Sequence, residues 1–339
     1  MTVDDAIALS LLDDLSRHNL IDRLRGEDPE LRERASVLRA AAAAVCEKAA
    51  AAHIVALPWS DPKFPPALLA ISDCPPALWY RGTLDCLNAP CVAIVGSRAA
   101  TAVALETATR LAADLAAHGV TVISGLARGV DSAAHRGALE RGHTVAVLGS
   151  GVDRIYPSEH RDVAAQIAAQ GLLVSEYPPG SPPLPFHFPL RNRIISGLCR
   201  AVIVIEASEK SGSLITAACA LEQGRDVMAV PGNVLSGRNR GGHALIRDGA
   251  RIVESAEDVL QELGFEPASP GSADRDGVVA SDDPILAAMD EGNPCDVDAL
   301  ARATGLDAMR LLARIAELEL AGLVRRLDGG RFIRPPRTC

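Results

Sequence analysis

The sequence predicts an α/β fold built on a mostly parallel, doubly wound β-sheet, and three observations lead to this prediction. From Pro90 onward, apolar runs of strand length alternate with segments of helix length. The runs are rich in β-branched residues with few polar interruptions, which is typical of strands covered on both faces. Most of the helix-length segments end in glycine, the usual stop signal of a helix. Because strand–helix alternation implies right-handed crossovers, we expect an extended Rossmann-like core.

The first part of the chain differs from this core. Residues 1–56 are rich in alanine, leucine and charged residues without strand alternation, and they predict a small helical segment of two or three helices. Residues 57–89 follow with six prolines and both tryptophans, Trp59 and Trp79. Proline at this density prevents a long helix, and side chains this large and apolar favour burial. We therefore expect an irregular strap packed onto the core.

The core itself is predicted over residues 57–265, including the strap. Its strand candidates are residues 91–97, 120–125, 143–149, 172–177, 200–207, 226–232 and 251–255. Its helix candidates are residues 101–119, 130–142, 158–171, 191–199, 213–224 and 242–249.

A second, smaller domain is predicted at the end of the chain. Residues 266–281 are rich in Pro, Gly, Ser and Asp and indicate a linker. Residues 282–335 then contain three short amphipathic helices and a hairpin around an Asp-Gly-Gly turn, which is the outline of a winged helix. The third helix carries Arg310 and Arg314 among acidic residues, so partner docking or weak DNA contact is expected there rather than sequence readout.

Composition narrows the function classes. The net charge is −9, from 34 Lys and Arg against 43 Asp and Glu, which excludes a uniformly basic nucleic-acid binder. The acidic excess lies in the two flanks, so a nucleic-acid site would be a local patch on the nearly neutral middle segment. The eight cysteines form no C-x-x-C pair and predict reduced thiols rather than a disulfide frame or a metal site. With no signal peptide and no apolar run of about 20 residues, a cytoplasmic protein without a membrane segment is expected.

Ligand chemistry is expected at the carboxyl ends of the strands, where open α/β sheets bind their ligands. Glycine and small hydroxyl residues occur at five of six such ends, which suggests a crevice where backbone N–H groups approach a phosphate. The sequence has no G-x-x-x-x-G-K-[ST] loop, and Arg154 replaces the third glycine of a dinucleotide fingerprint. Cationic residues collect in the same loops, and Phe186 and Phe188 stand among them. Cations with aromatic side chains are typical of single-stranded nucleic-acid sites.

The strands and loops of the predicted core resemble those of the DprA/Smf family, the DNA-processing proteins of bacterial natural transformation. The resemblance covers residues 57–265 and is carried in order by PPALWYRG, VAIVGSRAAT, VISGLARGVDSAAHRGAL, TVAVLGSGVDRIYPSEH, VSEYPPG, FPLRNRIISGL, IVIEASEKSGSLITAACALEQGRDVMAVPGN and GGHALIRDGA. It implies competence-related DNA recombination: sequence-independent binding and protection of single-stranded DNA, loading of RecA recombinase, and a homodimer. It implies neither catalysis nor a cofactor. Family members commonly carry a Gly-Val-Gly hairpin loop in their N-terminal domain, and residues 1–56 lack it, so this segment is divergent or truncated.

The resemblance also implies the site residues. Arg98 matches the family's strand-end arginine for phosphate contact, and Arg128 stands where many members have lysine. Phe188 and Arg191 match the pocket segment, for base stacking and phosphate contact. The full set of expected DNA-binding residues is Gly96, Ser97, Arg98, Arg128, Phe188, Arg191, Asn192, Arg193, Lys210, Ser211, Gly212, Ser213 and Thr216.

Two residues have simple structural interpretations, and two alternative functions stay open. Asp131 is explained by helix N-capping, and His135 by a capping or core hydrogen bond. The competing function is enzymatic, because phosphoribohydrolases of the same fold group release a base from nucleoside monophosphates through a P-G-G-x-G-T-x-x-E loop. In this chain the loop becomes residues 211–219, and Cys219 replaces the glutamate that such chemistry requires. A purely structural adaptor is the third possibility.

Overall fold

The computed structural model describes residues 2–12, 18–264, 284–289, 295–306, 308–320, 324–327 and 331–333. The chain divides into two compact units, Met1–Pro267 and Ala268–Cys339. The predicted linker, residues 266–281, lies outside the described residues.

The first unit contains eleven helices and nine strands in its described part. In chain order they are α1 (Val3–Leu9), α2 (Leu20–Arg25), α3 (Pro29–Ala51), β1 (Val55–Pro58), α4 (Pro66–Leu69), β2 (Ala77–Gly82), β3 (Cys91–Gly96), α5 (Ala102–Ala117), β4 (Thr121–Ser124), α6 (Val130–Arg141), β5 (Thr144–Val147), α7 (Arg161–Gln170), β6 (Leu172–Ser175), α8 (His187–Gly197), β7 (Ala201–Ile205), α9 (Ser213–Glu222), β8 (Asp226–Ala229), α10 (Arg240–Arg247), β9 (Arg251–Ile252) and α11 (Ala256–Glu262). All seven predicted strands are present, and the predicted α/β class is confirmed.

The nine strands form one sheet in the order β1-β2-β6-β5-β4-β3-β7-β8-β9. From β6 to β9 every neighbouring pair is parallel. The chain proceeds outward from β3 through β4 and β5 to β6, then crosses back to place β7 on the other side of β3. The sheet therefore reverses its strand order between β3 and β7, and ligands of such sheets bind at this switch point.

The proline-rich strap is more regular than the sequence predicted. β1 pairs antiparallel with β2, and β2 pairs antiparallel with β6, so the strap extends the sheet by two strands. Pro58 ends the edge strand, where a missing N–H costs no hydrogen bond inside the sheet. Trp79 on β2 is fully buried, which confirms that the strap packs onto the core. The interpretation of the strap as irregular is wrong, because its strand pairing depends on residues far away in sequence.

The two faces of the sheet build two apolar clusters. On β3, Val92 and Ile94 point to one face, while Ala93 and Val95 point to the other. Side chains alternate in this way along any strand, so each buried strand supplies both clusters. One cluster includes residues of α5, α6 and α11, and the other includes residues of α7, α8 and the strap.

The N-terminal helices α1 to α3 join the second of these clusters. Leu9, Leu20 and Leu24 are fully buried in it. α3 begins at Pro29 after Asp28, whose carboxylate accepts hydrogen bonds from the N–H groups of the first turn. The prediction of two or three helices in this segment is confirmed.

The second unit contains α12 (Pro284–Ala287), α13 (Val297–Thr304), α14 (Ala308–Leu320), β10 (Arg325–Leu327) and β11 (Arg331–Ile333) in its described part. The two strands form an antiparallel hairpin, and Cys295 forms an isolated bridge to Phe332. Leu300, Ile315 and Phe332 are buried in the cluster between the helices and the hairpin. Three helices followed by a hairpin confirm the predicted winged helix.

Candidate functional site

A groove of about 370 Å³ opens at the carboxyl ends of β3 and β7. It lies at the switch point of the sheet, where such a site is expected. Its lining residues come from four segments: Val95, Gly96, Ser97, Arg98, Ala127, Asp131, Phe188, Pro189, Arg191, Asn192, Ile195, Ser208, Ser211, Gly212, Ser213, Ile215 and Thr216. Ten of the thirteen residues predicted to bind DNA line this one groove: Gly96, Ser97, Arg98, Phe188, Arg191, Asn192, Ser211, Gly212, Ser213 and Thr216.

The end of β3 places Arg98 at the rim of the groove. A side chain at Gly96 would put its Cβ 1.9 Å from the carbonyl oxygen of Ile205, so only glycine allows the two strands to approach here. Ser97 N–H donates a hydrogen bond of 2.8 Å to Glu206 O, which fixes the turn that follows. The side chain of Arg98 is exposed, and its guanidinium carbon lies 5.8 Å from the centre of the Phe188 ring. A cation and an aromatic ring therefore share one wall of the groove.

Phe188 lies on the first turn of α8, which begins four residues before the predicted helix start. Its half-buried ring packs against Tyr156 at 5.5 Å between ring centres. A Cβ at Gly149 would stand only 3.0 Å from the Phe188 ring, so the glycine makes room for it. The ring is held by protein on one side and lines the groove on the other. Phe186, by contrast, is exposed and lies outside the lining.

The loop after β7 forms the opposite wall. Ser211 and Ser213 are joined by a hydrogen bond of 2.7 Å between their hydroxyl groups, and α9 begins at Ser213. The positive end of the α9 dipole and small hydroxyl side chains suit an anion, although the N–H groups of Ser213, Leu214 and Ile215 already donate to oxygen atoms of this loop. Lys210 is exposed beside this wall but is not among the lining residues.

Arg191 forms the floor of the groove and is only 3% exposed. Its Nη1 donates hydrogen bonds to the carbonyl oxygens of Gly125 and Val147, and its Nε donates to Asn192 Oδ1. Burial lowers the pKa of this guanidinium to about 10, although Asp131 opposes that shift. The expectation that Arg191 offers an open phosphate contact is wrong, because most of its guanidinium N–H groups already donate to protein atoms. Arg191 supports the ends of β4 and β5 beneath the groove.

Arg193 lies away from the groove. It is 4% exposed and binds the carboxylate of Glu176 through two hydrogen bonds of 2.8 and 2.9 Å. Its Nε donates to the carbonyl oxygen of Asp73 at 3.0 Å. The prediction that Arg193 contacts DNA is therefore wrong, since the sequence could not show that Glu176 and Asp73 surround it. It braces α8 against β6 and the strap.

Asp131 is a groove residue that sequence reasoning assigned to helix capping. The structure has Gly129 at the N-cap of α6, and the Asp131 carboxylate accepts from Gly125 N–H and Ala127 N–H instead. Burial raises the pKa of this carboxyl, and the nearby Arg191 opposes the shift. Asp131 and Arg191 thus hold the β4–α6 loop from two sides. The position of Asp131 two residues after Gly129, at the start of a helix, was the one signal in the sequence.

His135 makes the core hydrogen bond that the sequence suggested. Its Nδ1 lies 2.7 Å from Thr144 Oγ1, and the ring is fully buried. Burial, together with the nearby Arg191, lowers its pKa to about 3, so the ring is neutral at physiological pH.

Arg128 lines a neighbouring concavity rather than the groove, and Glu159 holds it there in an ion pair.

No three His, Cys, Asp or Glu side chains in the described part of the chain are grouped as metal ligands. Within the same residues no helix has the length and apolar character needed to cross a bilayer. The seven cysteines that the structure describes are unpaired.

Comparison with known sequences gives matches to two described families. The family described as DNA recombination-mediator protein A matches residues 55–264, and the DprA winged helix domain matches residues 266–330. The chain is 42% identical to protein Smf of Escherichia coli over 294 residues, which cover 84% of this chain and 78% of that protein. It is 48% identical to the DNA processing protein DprA of Streptococcus pneumoniae over 206 residues, which cover 60% of this chain and 73% of that protein.

Solved structures give a consistent result. The fold is similar to that of DNA processing protein A from Streptococcus pneumoniae, with a TM-score of 0.68 and 37% identity over 77% of this chain and 99% of that one. It is also similar to DNA processing protein A from Helicobacter pylori, with a TM-score of 0.57 and 30% identity over 62% of this chain and 95% of that one. The Helicobacter structure was described for its single-stranded DNA binding mode.

Proposed function

This chain belongs to the DNA recombination-mediator protein A family, also called DprA or Smf, and from that premise we propose that its groove binds single-stranded DNA without reading the sequence. Its relatives are named as DNA processing proteins, and a DNA-processing role follows from the family. The single-strand binding of the Helicobacter relative supports the finer proposal.

The observation that carries the proposal is the pairing of Arg98 with Phe188 on one open wall. A guanidinium neutralises phosphate, and an aromatic ring stacks on any base, at about 1–3 kcal/mol per base. A paired base in a duplex is already stacked between its neighbours and cannot reach Phe188. Single strands should therefore bind more tightly than duplexes, and all sequences about equally.

The loop opposite this wall supplies further anion contacts in the proposed complex. Ser211, Gly212, Ser213 and Thr216 bring small side chains and the start of α9 to the groove. Lys210 stands beside them as an exposed cation that a longer strand could reach. Asn192 stays beneath, where its Nδ2 donates weakly to Gly212 O at 3.5 Å and links α8 to this loop.

The proposal extends to partners. We propose that the protein is a homodimer in the cytoplasm, that it protects incoming strands during natural transformation, and that it loads RecA recombinase onto them. The family supports these statements. Light scattering tests the dimer, and strand exchange by RecA on DNA covered with single-strand binding protein tests the loading. A monomer at all concentrations, or no stimulation of RecA, would contradict them.

We also propose that the groove binds without catalysis. Cys219 stands where related phosphoribohydrolases have a glutamate, so no carboxylate is available there. Burial also raises the pKa of its thiol. A thiol cannot stabilise an oxocarbenium ion as a carboxylate does. Release of adenine in molar excess over protein during incubation with AMP would overturn this proposal, and Asp131 would then be the first residue to replace.

The direct test is Arg98→Ala, measured by fluorescence anisotropy with labelled oligo-dT at several salt concentrations. Affinity should fall for every sequence, and the salt dependence should weaken by about 0.7 log units per log unit of salt, as one lost phosphate contact implies. Arg110→Ala is the matched control, because Arg110 is exposed on α5 and paired with Glu106. Equal affinities for Arg98→Ala and the unchanged protein would contradict the proposed groove.

A further inference from the structure

A second concavity of about 420 Å³ adjoins the groove at Arg98, which lines both. Its other lining residues include Arg128, Ser132, Ala133, Arg136, Glu159 and His160. Three of the lining side chains are arginines, and the one carboxylate among them is that of Glu159. A surface with this charge suits an anion.

Backbone packing places the two concavities next to each other. A Cβ at Gly129 would stand 2.1 Å from the carbonyl oxygen of Ser97, and φ at Gly129 is +78°, which favours glycine. The turn after β3 and the start of α6 are therefore in direct contact, with Arg98 above them. A chain that leaves the groove past Arg98 meets the second concavity next.

Arg136 is the cation that the sequence did not single out. It lies four residues after Ser132 and three after Ala133, so all three share one face of α6 and line the same concavity. Its side chain is exposed. No carboxylate pairs with it among the described residues, whereas Arg128 is paired with Glu159 through two hydrogen bonds of 2.6 and 2.9 Å.

Glu159 is held at this place by the turn that carries it. The next residue, His160, is buried, and its Nδ1 lies 2.9 Å from the carbonyl oxygen of Leu126 in the β4–α6 loop. The hydrogen bonds from Arg128 lower the pKa of Glu159, so its carboxylate remains charged. A phosphate that entered the concavity would have to compete with this carboxylate for Arg128.

We propose that the bound strand continues past Arg98 into this second concavity, where Arg136 contacts a backbone phosphate and Glu159 opposes binding by occupying Arg128. The ligand class is the phosphodiester backbone of a single strand, and the inference rests on the proposed function. The three arginines and single carboxylate of the concavity support it, because Arg guanidinium groups bind phosphate through paired hydrogen bonds.

The test measures binding of the full chain to oligo-dT of about 16 nucleotides, a length at the upper end of common single-strand site sizes. Arg136→Ala should weaken binding by up to about fivefold, the upper end of what one exposed ion pair contributes. It should also weaken the salt dependence by about 0.7 log units per log unit of salt. Glu159→Gln should strengthen binding severalfold, since it releases Arg128 and removes a negative charge.

Arg141→Ala is the matched control. Arg141 lies on the same helix, is exposed, pairs with Asp114 at 3.8 Å and lines neither concavity. It removes the same charge from the protein, so its affinity should equal that of the unchanged chain. Equal affinities for Arg136→Ala and Arg141→Ala would overturn the inference, and so would a Glu159→Gln protein that binds no more tightly.

Failure of this inference is distinguishable from failure of the proposed function. If Arg98→Ala weakens binding while Arg136→Ala does not, the strand occupies the groove alone and only the second concavity is wrong. If the unchanged protein shows no salt-dependent affinity for oligo-dT, the proposed function itself is wrong.

Discussion

At the scale of single residues, position in the fold separates residues that the sequence treats alike. Arg98, Arg191 and Arg193 are all basic residues of loops or helix starts in the sequence. In the structure Arg98 is exposed at the rim of the groove, Arg191 is bonded to backbone carbonyls below it, and Arg193 is paired with Glu176. Only the first is free to neutralise a ligand charge. Phe188 and Phe186 also differ in position: Phe188 lines the groove, whereas Phe186 is exposed outside it.

Phe188→Ala tests the aromatic contact. Loss of one stacked base should weaken binding of oligo-dT by about 1–3 kcal/mol, while the salt dependence stays unchanged because no charge is removed. Phe186→Ala is the control, since Phe186 is exposed and outside the groove. Anisotropy titrations measure both, and thermal unfolding checks that the half-buried Phe188 is not needed for the fold. Equal binding by the two variants would exclude stacking on Phe188.

At the scale of elements, helix α8 connects the groove to the rest of the sheet. Its first turn carries Phe188, its second carries Arg191, and Arg193 ties it to Glu176 after β6 and to Asp73 in the strap. The strap itself adds two antiparallel strands to the sheet and buries Trp79. The site is thus positioned by elements that are far apart in the sequence.

Arg193→Ala should reveal this connection as a loss of stability. Removal of the guanidinium leaves the Glu176 carboxylate buried without its partner, which typically costs about 3–5 kcal/mol. Urea unfolding measures the change, and Arg110→Ala should cost about 0.5 kcal/mol at most, as exposed pairs on a helix do. If the free energy of unfolding of the Arg193→Ala protein lay within about 1 kcal/mol of that of the unchanged chain, the stabilising role of the Arg193–Glu176 pair would be contradicted.

At the scale of the whole molecule, the acidic total charge and the cationic site are compatible because the site is local. The chain carries a net charge of −9, yet Arg98, Arg128 and Arg136 lie around adjoining concavities. Attraction from a distance is weak under these conditions, so the proposed affinity for a single strand depends on contacts along several nucleotides. A dimer would add to this by binding one strand at two sites.

The stability of the whole fold should depend on pH through His135. Its pKa is about 3 in the folded protein because the ring is buried, and its Nε2 has no hydrogen-bond partner among the described residues. The unfolded chain takes up a proton near the ordinary value of about 6.5. Below that pH the unfolded state binds more protons than the folded one, so stability falls as pH falls, by about 1.4 kcal/mol per pH unit.

His135→Gln should remove this contribution. Urea unfolding between about pH 6 and pH 4 should show a shallower decline for the variant, by about one proton, whatever its stability at neutral pH. Above about pH 7 the two proteins should show the same pH dependence, because the histidine is neutral in both states. Parallel declines in the acidic range would mean that His135 is not the buried neutral group.

The order of strands and helices in the core follows from the sequence alone, because each local run of apolar residues already indicates burial on both faces of the sheet. The sequence also predicted that strand ends 96–98 and 211–216 meet, because carboxyl ends of parallel strands lie at one edge, and residues of both line the groove. Arg98 could be found from its place at a strand end, whereas the Phe188 ring was assigned through the family resemblance.

Which polar side chains form hydrogen bonds or ion pairs inside the protein is evident only from the folded chain. Arg191 meets Gly125 across 66 positions of the chain, and Arg193 meets Asp73 across 120. The strands of the strap and the roles of Asp131 and Arg136 depend in the same way on neighbours brought together by folding. A local sequence pattern shows whether a side chain is apolar or charged. It does not show which partner pairs with a buried charge, because that partner can lie far away in the sequence and comes close only on folding.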